Sequence, residues 1–135
     1  GLDELLARSD FVSCHVPLME ETRHLFTYER FCRMKPSAFF LNLARGEVVD
    51  EAGLIRALQE QRLAGAGLDV REVEPPAASP LGAMDNVILT PHIAALTREA
   101  QDRVVAAICS DVTSVLLHAP AKNFVNFSRP RNRPA

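Results

Sequence analysis

The chain has 135 residues, 47% of them hydrophobic and 24% charged, with a formal net charge of −2. That composition suits one globular domain with a real core. It offers no basic face for nucleic acid, and no apolar run approaches the ~18 residues of a membrane span.

Gly1-Leu2-Asp3-Glu4 reads as helix, so no secretory leader is expected at this start. The three cysteines, Cys14, Cys32 and Cys109, form no CxxC pair and no metal-ligand spacing. The expectation is buried thiols in a reducing cytosol and no metal site.

Helix and strand signals alternate along the chain. Asp3 to Arg8 reads as the end of a helix, with Leu2, Leu5 and Leu6 on one face. Phe11 to Val16 is a short strand closed by Pro17. Glu20 to Phe26 is a polar turn with a short helix, and a further helical turn runs from Thr27 or Tyr28 to Met34. Pro36-Ser37 breaks it before the apolar strand Ala38 to Leu43. Asp50 caps a helix that shows Leu54, Ile55 and Leu58 on one face. Gly65 to Val70 is the next strand, apolar enough to be buried on both faces, as parallel sheets require. A proline-rich loop from Arg71 to Met84 leads to a strand at Asn86 to Thr90. Thr97 then caps a long helix to about His118, with Val104, Val105, Ile108, Val112 and Leu116 at helical spacing. The segment from Phe127, with Arg129, Arg131 and Arg133 among prolines, reads as a disordered tail. Strands joined by single helices define an α/β fold with a parallel sheet.

In such sheets ligands bind beyond the carboxyl ends of the strands, and several polar residues fall there. Arg45 follows one apolar strand; its planar guanidinium can hold a carboxylate bidentately and polarise a neighbouring carbonyl, or can pair with Glu47 or Asp50 at the surface. His92, at the end of another strand, can exchange a proton with an alcohol or a carbonyl near neutral pH, or can be a satisfied structural histidine. A carboxylate beside it would orient the ring and favour its charged form; Glu72 and Glu74 compete for that role. Asp69 could bind an amide or a hydroxyl, or cap its loop. His15 and Pro17 close the first strand, while His24 and His118 have no assignable partner. An arginine, a glutamate and a histidine at three successive strand ends are the groups needed to handle a 2-hydroxy or 2-keto acid.

Five segments carry a resemblance: Asp10 to Leu18 with Glu21-Thr22; Met34-Lys35-Pro36; Asn42 to Glu51; Gly67 to Val70 with Glu74-Pro75; and Thr90 to Ala94. In this order and spacing the chain resembles the D-isomer-specific 2-hydroxyacid dehydrogenases up to about Asn126. That family includes phosphoglycerate dehydrogenases, glyoxylate/hydroxypyruvate reductases and D-lactate dehydrogenases. The resemblance implies a Rossmann-like sheet and hydride transfer between NAD(P)H, with NAD favoured, and a small 2-keto or 2-hydroxy acid. It implies a cytoplasmic homodimer with no nucleic-acid or membrane partner. Its catalytic residues fall on Arg45, Glu74 and His92, and its spacing from the aspartate selects Glu74 over Glu72. Asp69 matches a position that contacts the nicotinamide amide, and Leu43 and Ala44 match backbone near that ring. Val16, Pro17 and Thr22 match the adenosine side. Ala94 and Ala95 match small residues that let the cofactor approach.

Two positions depart from the pattern: Arg71 stands where an aromatic or apolar residue is usual, and Ala95 where glycine or serine is common. No GxGxxG occurs in the 135 residues. The expectation is therefore that residues 1–126 are the second part of a nucleotide-binding domain carried by a longer protein, and 127–135 its tail. An NAD-sensing corepressor-like protein of the same fold family and an inactive fragment are the alternatives.

Overall fold

The computed structural model describes residues 1–123. It divides into two units, Gly1–Ala94 and a second that begins at Ala95. The expected tail lies outside the described residues.

The first unit alternates as the sequence suggests: α1 (Leu2–Arg8), β1 (Phe11–Cys14), α2 (Tyr28–Phe31), β2 (Phe39–Asn42), α3 (Glu51–Gln59), β3 (Gly65–Leu68) and β4 (Val87–Leu89). Short 3-10 turns at Glu20–Thr22, Gly46–Val48 and Pro80–Ala83 complete the connections. The four strands form one parallel sheet in the order β1-β2-β3-β4. Strands expected to reach Val16, Leu43 and Val70 stop one or two residues earlier. Beyond Asn42 and Leu68 the backbone turns to make the loops of the site.

The core lies on one face. The register Val12↔Phe40↔Ala66 and Cys14↔Asn42↔Leu68 stacks buried residues against helices α2 and α3. Phe40 meets Phe26 with ring centroids 4.7 Å apart and Phe31 edge-on at 5.1 Å. Asp50 caps α3 by accepting from Gly53 N at 3.1 Å. Leu54, Ala57 and Leu58 face the core, with Ile55 half-buried beside them.

On the opposite face the cover differs from strand to strand, and β3 is covered as its apolar sequence suggests. There Gly65 is buried, and Leu41 leans over the half-buried Gly67, where a Cβ would come within 2.8 Å of its Cδ2. The neighbouring strands are open: Phe11 is 68% exposed and Ile88 72% exposed. Phe11 stacks on Phe39 at 5.5 Å, so these rings cover each other rather than being covered.

The second unit holds α4 (Arg98–Leu116), capped by Thr97 Oγ1 accepting from Ala100 N at 3.1 Å. His118 adopts a left-handed conformation (φ 59°), and Ala119 N closes back onto Ser114 O at 2.8 Å, a helix-ending turn before Pro120. Asp111 then receives the amides of Lys122 and Asn123 at 2.8 and 3.1 Å. All three thiols are free. Cys14 is buried as expected, but Cys32 and Cys109 are exposed: Cys32 ends α2 at the surface and Cys109 lies on an exposed stretch of α4.

The wholly buried Phe40 joins sheet and helices through its two aromatic contacts. Phe40→Ala should cost about 3–5 kcal/mol of unfolding free energy, the usual range for a buried aromatic truncated to alanine. Chemical denaturation of the variant checks this.

Candidate active site

The turn after β2 is built by a buried polar side chain that the sequence reading did not weigh. Asn42, 1% exposed, accepts from Ala44 N through Oδ1 (3.1 Å) and donates through Nδ2 to Arg45 O (2.9 Å). Both ends of its amide are used, so the turn has one conformation. The Arg45 side chain is exposed and donates to Ala44 O at 2.7 Å. It forms no ion pair with Glu47 or Asp50, so its charge is left for another partner. Gly46 follows because nothing larger fits: a Cβ there would lie 1.8 Å from the Arg71 carbonyl oxygen. The β2 and β3 loops therefore touch backbone to backbone beside Arg45.

Asp69, at the end of β3, organises the exit of β4. It is 2% exposed and accepts from Thr90 Oγ1 at 2.5 Å and Ile93 N at 2.9 Å through Oδ1, and from Ala94 N at 2.9 Å through Oδ2. Its carbonyl accepts from His92 N at 2.8 Å. These bonds hold His92 at φ 55°, a left-handed conformation that non-glycine residues adopt only when their surroundings impose it. Burial pushes the Asp69 carboxyl up, but the bonds from Thr90, Ala94 and Ile93 outweigh it and hold the group below the ordinary aspartate range.

Held this way, His92 presents Nδ1 to Glu74 Oε2 at 2.8 Å. An ionised carboxylate only accepts, so Nδ1 carries the shared proton and Nε2 faces away from the pair. The His92 bond, reinforced by the Arg71 amide on Oε1 at 3.0 Å, lowers the Glu74 carboxyl from its usual range. The competition between the two glutamates is resolved by geometry. Glu72 Oε1 instead meets His24 Nε2 at 2.7 Å, a partner that spacing alone did not reveal.

Two cavities meet at Arg45. One, of about 280 Å³, is lined by Arg45, Gly46, Glu47, Val70, Glu74 and His92, with Arg71 and Glu72. The other, of about 370 Å³, is lined by His15, Val16, Pro17, Leu43 and Ala44, with Leu18 and again Arg45. The ends of β2, β3 and β4 thus bring Arg45, Glu74 and His92 to one wall, and the ends of β1 and β2 bring Val16, Pro17, Leu43 and Ala44 to the next. Thr22 stands behind the second cavity, donating to Pro17 O and accepting from Met19 N, both at 2.7 Å. Ala94 contributes its amide to Asp69, while Ala95 opens the second unit. Thr90, like Asn42, is a supporting residue that the sequence reading passed over. Among the described residues no group of three histidine, cysteine, aspartate or glutamate side chains is placed to hold a metal ion.

A parallel sheet with a charged crevice at its strand ends defines a nucleotide-binding α/β architecture. Residues 1–94 match the family described as D-isomer specific 2-hydroxyacid dehydrogenase, NAD binding domain, and the chain belongs to that family. The glyoxylate reductase of Thermofilum pendens is 46% identical over 134 residues, which cover 98% of this chain and 40% of the relative. The holo D-mandelate dehydrogenase of Rhodotorula graminis is 35% identical with a TM-score of 0.87, over 97% of this chain and 39% of that one. A D-isomer specific 2-hydroxyacid dehydrogenase of Xanthobacter autotrophicus Py2, in complex with NADPH and MES, is 43% identical with a TM-score of 0.78, over 93% and 51%. The chain therefore spans about two fifths of the curated relative's length.

Asp69→Asn leaves one oxygen where the loop needs two acceptors. Losing a charged acceptor for one of these part-buried amides should cost about 1.5–3 kcal/mol, the usual worth of a hydrogen bond to a charged group. Because the folded carboxyl is lowered, its contribution is complete above the ordinary aspartate range and fades only as pH falls through the depressed value. Amide exchange measured by NMR should show Ile93 and Ala94 protected at neutral pH in the wild type and strongly deprotected in Asp69→Asn.

Proposed function

We propose that the whole protein is an NAD(P)-dependent 2-hydroxyacid dehydrogenase and that this chain supplies its catalytic arginine, glutamate and histidine. The observation that carries the reading is the formed Glu74–His92 pair on the wall that Arg45 shares. The second cavity suits one part of a nicotinamide dinucleotide: Val16, Pro17, Leu43 and Ala44 give it apolar lining next to the charged wall. Bound there, the cofactor supplies the hydride exchanged with C2 of the acid. NAD is favoured on the family's description, and the NADPH complex of the Xanthobacter relative keeps NADP within the reading.

In reduction, Arg45 anchors the substrate carboxylate through its fork and polarises the keto oxygen. His92 enters with both ring nitrogens protonated and gives its Nε2 proton to that oxygen. Glu74 stabilises the imidazolium and keeps the neutral ring's proton on Nδ1, so Nε2 is the base for the reverse reaction. Asp69 fixes the turn that aims the ring, and its second oxygen keeps a lone pair that a nicotinamide amide could use. A small 2-keto acid such as glyoxylate suits the modest polar cavity and follows the name of the Thermofilum relative. The three free thiols fit a reducing cytoplasm, and a homodimer is carried by the family resemblance alone. A corepressor-like sensor would need the dinucleotide cleft but no proton carrier, so the formed pair favours the enzyme.

In the whole protein, His92→Ala should lower kcat for glyoxylate reduction by about 10² or more, the scale of general acid–base help, with NADH affinity held within a few-fold. Steady-state kinetics with a separate NADH titration checks both; retained turnover would remove His92 from the mechanism.

A further inference from the structure

Arg71, one of the two departures from the family pattern, touches both halves of the site. Its amide donates to Glu74 Oε1 at 3.0 Å, and its carbonyl is packed on Gly46, next to Arg45. Its side chain turns the other way, into the start of α3. There Nε and Nη2 donate to the two oxygens of Glu51 at 2.9 and 2.6 Å. The side chains are only 10% and 20% exposed, so this is a shielded fork rather than a surface pair.

The next residue doubles the tie. Glu72 N donates to Glu51 Oε2 at 3.3 Å, and Glu51 N donates to Glu72 Oε2 at 3.2 Å. Four hydrogen bonds thus staple residues 71 and 72 to the first turn of α3, where the charge of Glu51 also meets the positive end of the helix. The guanidinium bond holds the Glu51 carboxyl below its ordinary range, in keeping with a closed pair.

We infer that the Arg71–Glu51 ion pair is a positioning device for the proton carrier. It anchors the loop that carries Glu74 to α3, so that Glu74 meets Nδ1 of His92 while the Gly46 contact keeps Arg45 on the same wall. Arg71 is a positioning residue: its guanidinium is spent on Glu51. The other charged groups facing His92 are Arg45, Glu47 and Glu72 on the cavity wall and Asp69 beneath the turn; among the described residues Glu74 alone is bonded to the ring. The kinetic consequence rests on the dehydrogenase reading, whereas the effect on the His92 ring does not.

The test is nitrogen NMR of ¹⁵N-histidine-labelled whole protein, with kinetics alongside, for Arg71→Met and Arg71→Lys. In the wild type the neutral His92 ring should hold its proton on Nδ1. In Arg71→Met the loosened Glu74 should release that preference, and the ring should move toward the Nε2–H tautomer. Glyoxylate reduction should lose about tenfold in kcat, within the known cost of small misplacements near a reacting centre, with NADH affinity unchanged within about twofold. Arg71→Lys, which keeps the charge without the fork, should fall between and carries the same readouts if the methionine variant does not fold. A lowered melting temperature with tautomer and kcat both at wild-type values would overturn the inference and leave Arg71 a stabilising residue. A tautomer change in a protein that turns over no 2-keto acid would uphold the positioning and sink the dehydrogenase reading. Wild-type tautomer with intact turnover would do the reverse.

Discussion

The buried carboxylate of Asp69 is the constraint on which the site depends. Placing a charge at 2% exposure is costly unless its oxygens are hydrogen-bonded. Here both oxygens accept, from one hydroxyl and two amides of the segment leaving β4. The protein thereby turns a desolvated charge into a clamp between two strand ends. That clamp holds His92 in its left-handed conformation and aims its ring at Glu74.

The same logic repeats along the sheet. A parallel strand ends with backbone groups that its neighbours leave unsatisfied, and the loops after β2 and β3 meet that need with a side chain at the strand's own end. Asn42 does so after β2 and presents Arg45; Asp69 does so after β3 and presents His92 across the gap. The backbone contact of Gly46 with Arg71, and the ties of residues 71 and 72 to Glu51, join the two loops. The chemical groups are thus held by backbone turns, and their supports lie within the unit Gly1–Ala94.

Much of this is legible in the sequence, for identifiable reasons. Strands of short apolar residues between capped helices announce a parallel sheet, and Asp50 and Thr97 mark helix starts that the structure keeps. Polar residues placed just beyond apolar strands point to the crevice. What spacing cannot show is pairing between loops. Residue type alone leaves Glu72 and Glu74 equivalent and only the family resemblance separates them; in the structure Glu72 meets His24 and Glu74 meets His92. Arg71 looked like an anomaly because its partner, Glu51, lies 20 residues away on the start of a helix. The open face carrying Phe11 and Ile88 also escaped, since apolar strand composition does not say whether both faces are covered.

The central claim is that Glu74 charges His92 for proton transfer, and the pH–rate profile of Glu74→Gln in the whole protein tests it most directly. The carboxylate favours the imidazolium that reduction consumes, so replacing it with a neutral amide should disfavour that form. Glyoxylate reduction by Glu74→Gln should fade at a lower pH than in the wild type, because the bond to His92 that lowers the Glu74 carboxyl is lost. Superimposable profiles for the two proteins would contradict it.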